Sequence, residues 1–186
     1  MSKYWMIVSI VLITAFQALN GQDRVYTKNG QINFFSKAPL ESIEAKNQNV
    51  TCVLDTKSGQ VQFVVLMKGF EFRKALMQEH FNENYVESNK FPKGEFKGQI
   101  LNNGEINYSH EGTYTAKVKG MLSIHGETKE VETTGTITVK DGKVSINSAF
   151  SILLSDYKIA IPALVKDKVS NNVAITVSCS LETLKS

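Results

Sequence analysis

GFEFRKALMQEHFNENYVESNKFPKGEF, residues 69–96, interrupts a chain that otherwise alternates apolar and polar residues, and it holds five of the ten phenylalanines. On either side of it the apolar residues recur at every second position, the signature of strands with one buried face. Inside it the spacing changes to three and four. Phe72, Ala75 and Leu76 then share one face of a helix, with Glu79 one turn further on. This spacing predicts a short helix laid against the end or flank of a sheet. Such a helix plugs a core or covers a cavity, and periodicity leaves both open, although apolar stripes are more often packing than binding surfaces.

The flanking strands read clearly. In 114–124, Tyr114, Ala116, Val118, Gly120, Leu122 and Ile124 face inward, while Thr115, Lys117, Lys119 and Ser123 face water. Val61, Phe63, Val65 and Met67 share a face before the helical stretch, and Phe96, Gly98 and Ile100 share one after it. Val131, Ile137 and Val139, then Val144, Ile146, Phe150, Ile152 and Leu154, continue the pattern, and 172–184 is the last strand. Turn chemistry predicts hairpins at Lys28-Asn29-Gly30, at 55–59 and at Asp141-Gly142, and 38–48 reads as irregular. About eight or nine long antiparallel strands close most simply into a lipocalin-like up-and-down β-barrel, because closure removes exposed edges. A two-sheet sandwich is the next architecture. Inward glycines at Gly98, Gly120 and Gly135 favour the barrel, where long strands bend and approach closely. A barrel of this size is either filled by side chains or holds one small ligand.

Three prolines and no Gly, Ser or Pro run leave nowhere for a linker, so one domain is expected. Met1-Ser2-Lys3, the apolar run 4–16 and the small and polar residues 17–22 have the order of a secretory signal peptide. The expected division is a signal peptide over 1–21 and a β-barrel domain over 22–186, in the periplasm or secreted, with no stable membrane span after cleavage. Removing 1–21 takes away Lys3 and no acid, so the net charge falls from +3 to +2. Basic residues such as Lys97, Lys117, Lys119 and Lys140 stand singly along strands, which argues against nucleic acid as a partner. A homodimer is left open. Cys52 and Cys179 both share the apolar parity of their strands, as buried thiols or as a disulfide that an oxidising compartment would permit.

No HExxH, paired CxxC, GxSxG or phosphate-cradling glycine loop is present, so no metal, cofactor or catalytic residue is assigned and an enzyme is not expected. His80 lies next to Glu79 and near Asn82, Glu83 and Asn84. That group reads as an exposed helix end, as an acid–base cluster or as a rim that bonds the polar end of a ligand. His125 sits at a strand end and either fixes its turn or meets a ligand.

Three ordered segments carry a resemblance: ALMQEHFNENYVESNKFPKGEFKG (75–98), GMLSIHGETKEV (120–131) and SAFSILLSDYKIAIPALVKDKVSNNVAITV (148–177). Together they resemble the YceI-like family of secreted bacterial proteins, and the similarity spans 24–184. Ser123 stands where the family's turn often has Thr, and Ser88-Asn89-Lys90 where an acidic residue often precedes the aromatic-Pro pair. The resemblance implies a lipocalin-like barrel whose lumen takes an isoprenoid lipid or quinone tail, for transport or storage. It implies apolar contacts from Phe70, Phe72, Leu76, Met77 and Phe81 in the insert, and polar contacts from His80, Asn84 and Tyr85 at the opening. Phe63, Phe96, Val118, Leu122, Ile137, Phe150 and Val177 would line the lumen. The alternative is a filled, envelope- or stress-associated barrel that acts through protein partners.

Overall fold

Alternation over runs of up to fourteen residues gives each strand one apolar face, and the chain buries these faces against each other by closing on itself. The computed structural model describes residues 23–183; the signal-peptide expectation over 1–21 lies outside them. The strands are β1 (Arg24–Lys37), β2 (Ser42–Asp55), β3 (Gln60–Leu66), β4 (Glu71–Phe72), β5 (Lys93–Ile100), β6 (Gly112–Ile124), β7 (Glu127–Lys140), β8 (Lys143–Leu153) and β9 (Asn172–Thr183), with one helix, α1 (Ala75–His80). Around the barrel the order is β1-β2-β3-β5-β6-β7-β8-β9, and β9 pairs back onto β1, so eight antiparallel strands close with no free edge. The two-residue β4 adds to β2 through Ala45 and Lys46.

Two expected turns are where they were read. Asp141 and Gly142 both have positive φ between β7 and β8, as a two-residue hairpin of this hand requires. Between β2 and β3, Asp55 accepts a hydrogen bond from the Ser58 N–H at 2.8 Å. Lys28-Asn29-Gly30 is different: β1 runs straight through it, with register shifts against β2 on both sides of Gly30. Gly30 is there for closeness, since a Cβ at this position would lie 2.5 Å from Cys179 Sγ. The result is a bulge, which bends the strand.

The stretch 38–48 is also more regular than expected, because β2 begins at Ser42. Its parity changes between Asn47 and Val50, which masks the alternation. Asn47 is buried although polar, and both ends of its amide are used. Nδ2 donates to the Leu66 carbonyl at 2.9 Å, and Oδ1 accepts from the Asn49 N–H at 2.9 Å. That pair of bonds fixes the corner where β3 leaves the barrel wall.

The interior has two layers. One end is filled by Val25, Cys52, Leu54, Ile137, Cys179 and Leu181 and is closed by Ile106, which the β5–β6 loop inserts with Tyr108 against it. Cys52 and Cys179 meet there as thiols in hydrogen-bond contact, and that contact together with burial pushes the Cys52 thiol well above the usual range. At mid-height Gly98 faces Gly120 across β5 and β6. The Phe96 ring lies over this pair, 2.5 to 2.6 Å from where a Cβ on either would stand. Beyond Phe96 the barrel is open.

A lidded apolar cavity

The helical stretch covers that open end. Its two ends are tied together, as the Met67 N–H donates to the Pro92 carbonyl at 2.9 Å. Between them α1 runs from Ala75 to His80 and continues as a π-turn over Phe81–Tyr85. Six residues are far too few to hold a helix alone, and Lys74 supplies no side-chain cap. Packing holds it instead. Phe34 of β1 lies 5.3 Å from Phe70, 5.7 Å from Phe72 and 5.5 Å from Phe81 between ring centroids, and Phe72 and Phe81 are 5.0 Å apart. Aromatic contacts at such distances add to the gain from area alone. The Phe72 N–H also donates to Gln78 Oε1, and Asn82 Nδ2 donates to the Gln78 carbonyl.

The inward face of this flap differs from the expected one. Met77, Phe81 and Tyr85, four residues apart, line the cavity, whereas Ala75 is exposed and Leu76 stands at the edge of the mouth. Phe72 takes its place from β4, outside the helix. Burial raises the Tyr85 hydroxyl above its ordinary range.

A second anchor holds the exit of the flap. Glu87 and His125 both adopt left-handed backbone conformations, uncommon for residues with side chains. His125 Nε2 lies 2.8 Å from Glu87 Oε2, Nδ1 lies 3.0 Å from the Tyr157 carbonyl, and the Phe91 ring meets the imidazole edge to face at 4.7 Å. Each ring nitrogen thus has a polar partner, one on the flap and one on the β8–β9 loop. His125 thereby fixes its turn, and it joins the flap to the β6–β7 turn and the β8–β9 loop.

Beneath the flap is a cavity of about 560 Å³ that reaches down to Ile100, Ala116, Ile137 and Ile146. Its walls include Phe63, Phe96, Val118, Leu122, Ile137, Phe150 and Val177 from the strands. Phe70, Phe72, Leu76, Met77, His80, Phe81 and Tyr85 border it from the flap. Asn84 does not: it is exposed and stands outside the cavity lining. Glu79 and Glu83 are exposed as well, and the Asn82 amide turns back into the flap, so no acid–base group assembles around His80.

Several wall residues were missed in the sequence, chiefly Ile32, Phe34, Ile43 and Ile175. Ile32 and Phe34 stand two residues apart and both line the cavity, but reading β1 as a hairpin hid them. Charged groups gather at the mouth. Glu41 and Lys74 form an ion pair at 3.3 Å across the opening, and Lys168 stands on the β8–β9 loop beside them. The Leu40 N–H donates to the Asp167 carbonyl at 2.9 Å, which ties the β1–β2 turn to that loop.

An eight-stranded antiparallel barrel with an apolar lumen under a helical flap belongs to the lipocalin-like class of folds. The profile of the YceI-like domain family matches residues 23–181, and the chain belongs to that family. Solved structures share the fold at low identity. A polyisoprenoid binding domain from Saccharophagus degradans, implicated in plant cell wall breakdown, superposes with a TM-score of 0.76 at 12% identity, covering 87% of this chain and 99% of its own. BcnA of Burkholderia cenocepacia gives 0.67 at 14% identity, covering 83% and 96%. The YCEI protein of Campylobacter jejuni gives 0.58 at 17%, covering 76% and 85%. A search of curated proteins gives no significant match.

Proposed function

We propose that this protein binds a long-chain isoprenoid lipid, of prenyl quinone or polyprenyl type, and carries or stores it in the periplasm or outside the cell. The observation that carries this reading is the cavity of about 560 Å³, walled by aliphatic and aromatic side chains with its charged groups at the mouth. That volume lies in the range of small-molecule sites, roughly 300 to 1,000 Å³. An isoprenoid tail has no polar group to satisfy along its length, so such a wall suits it, and each ~100 Å² of tail buried contributes about 2.5 kcal/mol. Tyr85 and His80, with the Glu41–Lys74 pair, stand where a quinone ring or other head group would emerge. Family membership supports the reading, as does a neighbour in fold described as a polyisoprenoid binding domain. Recognition through the tail tolerates different heads, which fits a carrier better than a catalyst.

Native mass spectrometry of protein purified from its own host, followed by uptake of a detergent-dispersed prenyl quinone, tests this. An adduct of isoprenoid mass and saturable uptake are expected; neither adduct nor uptake would overturn it. N-terminal sequencing of the mature protein, expected to begin near residue 22, tests export.

A further inference from the structure

We infer that the mouth of the barrel is a docking surface for a lipid bilayer bearing anionic head groups. The three most exposed large apolar residues of the described chain are Leu164 at 97%, Leu40 at 72% and Leu76 at 60%. All three surround the opening, although they come from separate segments: the β8–β9 loop, the β1–β2 turn and α1. Their neighbourhood follows from three contacts. The Leu40 N–H bonds the Asp167 carbonyl, three residues from Leu164. Glu41 pairs with Lys74, two residues before Leu76. Val165 and Lys168 line the same mouth.

Leucines on loop tips gain nothing from water, and nothing among the described residues covers them. The charge around them has a sign. Segments 37–41, 73–80 and 161–170 carry Lys37, Arg73, Lys74, Lys166 and Lys168 against Glu41, Glu79 and Asp167. Aliphatic tips ringed by lysines suit the boundary between head groups and acyl chains, where the tips enter the apolar region and the ammonium groups reach the phosphates. The surface is also continuous with the cavity. A tail leaving the bilayer between Leu40, Leu76 and Leu164 would pass into the lumen without crossing water. This deepens the proposed function and rests on the reading of the cavity as an isoprenoid site.

Co-sedimentation with phosphatidylethanolamine vesicles, with and without phosphatidylglycerol, tests it on wild type, the double variant Leu40→Glu with Leu164→Glu, and Leu101→Glu. Leu101 is similarly exposed, at 55%, but follows β5 at the closed end. The double variant is expected to lose at least tenfold in vesicle affinity, and Leu101→Glu to match wild type. Binding should weaken as salt rises and strengthen with phosphatidylglycerol. Uptake of detergent-dispersed prenyl quinone, measured alongside, should be equal in all three and shows that each is folded. Equal sedimentation of the double variant and wild type, or none by a wild type that takes up dispersed quinone, would overturn the docking surface and leave the cavity reading standing. Failure of wild type to take up dispersed quinone would overturn the cavity reading, and sedimentation then decides the docking surface by itself. A shift from dimer to monomer in the double variant with vesicle binding unchanged would show that the leucines pair two copies, and would also overturn the proposal.

Discussion

The two ends of this barrel are built from the same eight strands with the same alternation, yet one is solid and the other hollow. At the closed end Leu54, Val139 and Leu181 are sealed by Ile106 from the β5–β6 loop. At the open end the corresponding segment, 69–92, lies over a cavity that Phe70, Met77, Phe81 and Tyr85 border. It is held by Phe34, and its rings pack on each other. Inward residues along a single strand show the change: on β9, Leu181 and Cys179 are fully covered, while Val177 and Ile175 are half-exposed to the lumen. A cavity therefore needs no special strand pattern. It needs an end loop that packs against the rim.

Leu54→Ala should have the largest effect. The site is completely buried at the filled end, so a loss of about 2–5 kcal/mol is expected. Thermal denaturation would show a fall of roughly 2–4 °C for each kcal/mol, with the affinity for a prenyl quinone kept. If affinity collapsed as well, the two ends would not be separable. Gly120→Val comes next. Its Cβ would stand 2.5 Å from Gly98 Cα and the Lys97 carbonyl, and overpacking of this kind costs about 1–3 kcal/mol. Because the Phe96 ring must also move, urea unfolding and ligand titration should both report the change.

Ile175→Trp tests the hollow end. The larger side chain should enter the lumen with little change in melting temperature and lower quinone affinity about tenfold, which corresponds to ~1.4 kcal/mol. Unchanged affinity would mean that the tail lies elsewhere. His125→Ala removes two hydrogen bonds at the exit of the flap, worth about 1 kcal/mol each. Hydrogen exchange should quicken at 87–91 and stay unchanged at the closed end.

The smallest effect concerns Asp55 at the closed-end hairpin. The Ser58 N–H holds its carboxyl below the usual range, and the Arg24 guanidinium at 3.6 Å adds to this. A lowered folded-state value means the contribution is present above the ordinary carboxylate range and is lost as pH falls through the lowered value. Asp55→Asn should remove that part of the acid-side slope in urea unfolding measured across pH, and solvent screening keeps the change small.

Much of the wall was legible in advance. Strands β3 and β5 to β9 have clean parity, so Phe63, Phe96, Val118, Leu122, Ile137, Phe150 and Val177 fall on the inner face by counting alone. The misreadings cluster on β1 and β2. There two bulges shift the parity, Gly30 serves close approach to Cys179, and a polar residue, Asn47, is buried in the stretch that reads as irregular. Asn84 came from the family resemblance, and it stands off the cavity lining because the chain turns as a π-helix over Phe81–Tyr85, which breaks the four-residue spacing from His80.

The alternation, the turns and the change of period at 69–96 are local properties of the chain, so the sequence by itself determined an all-β barrel with one helical insertion. It also placed the charge and the phenylalanines. Whether the insertion fills or covers depends on contacts between segments far apart in the chain, Phe34 with Phe81, His125 with Glu87, and Leu40 with Asp167. Only the tertiary structure decided that, because a cavity is the volume that packing leaves empty, and no single segment encodes it.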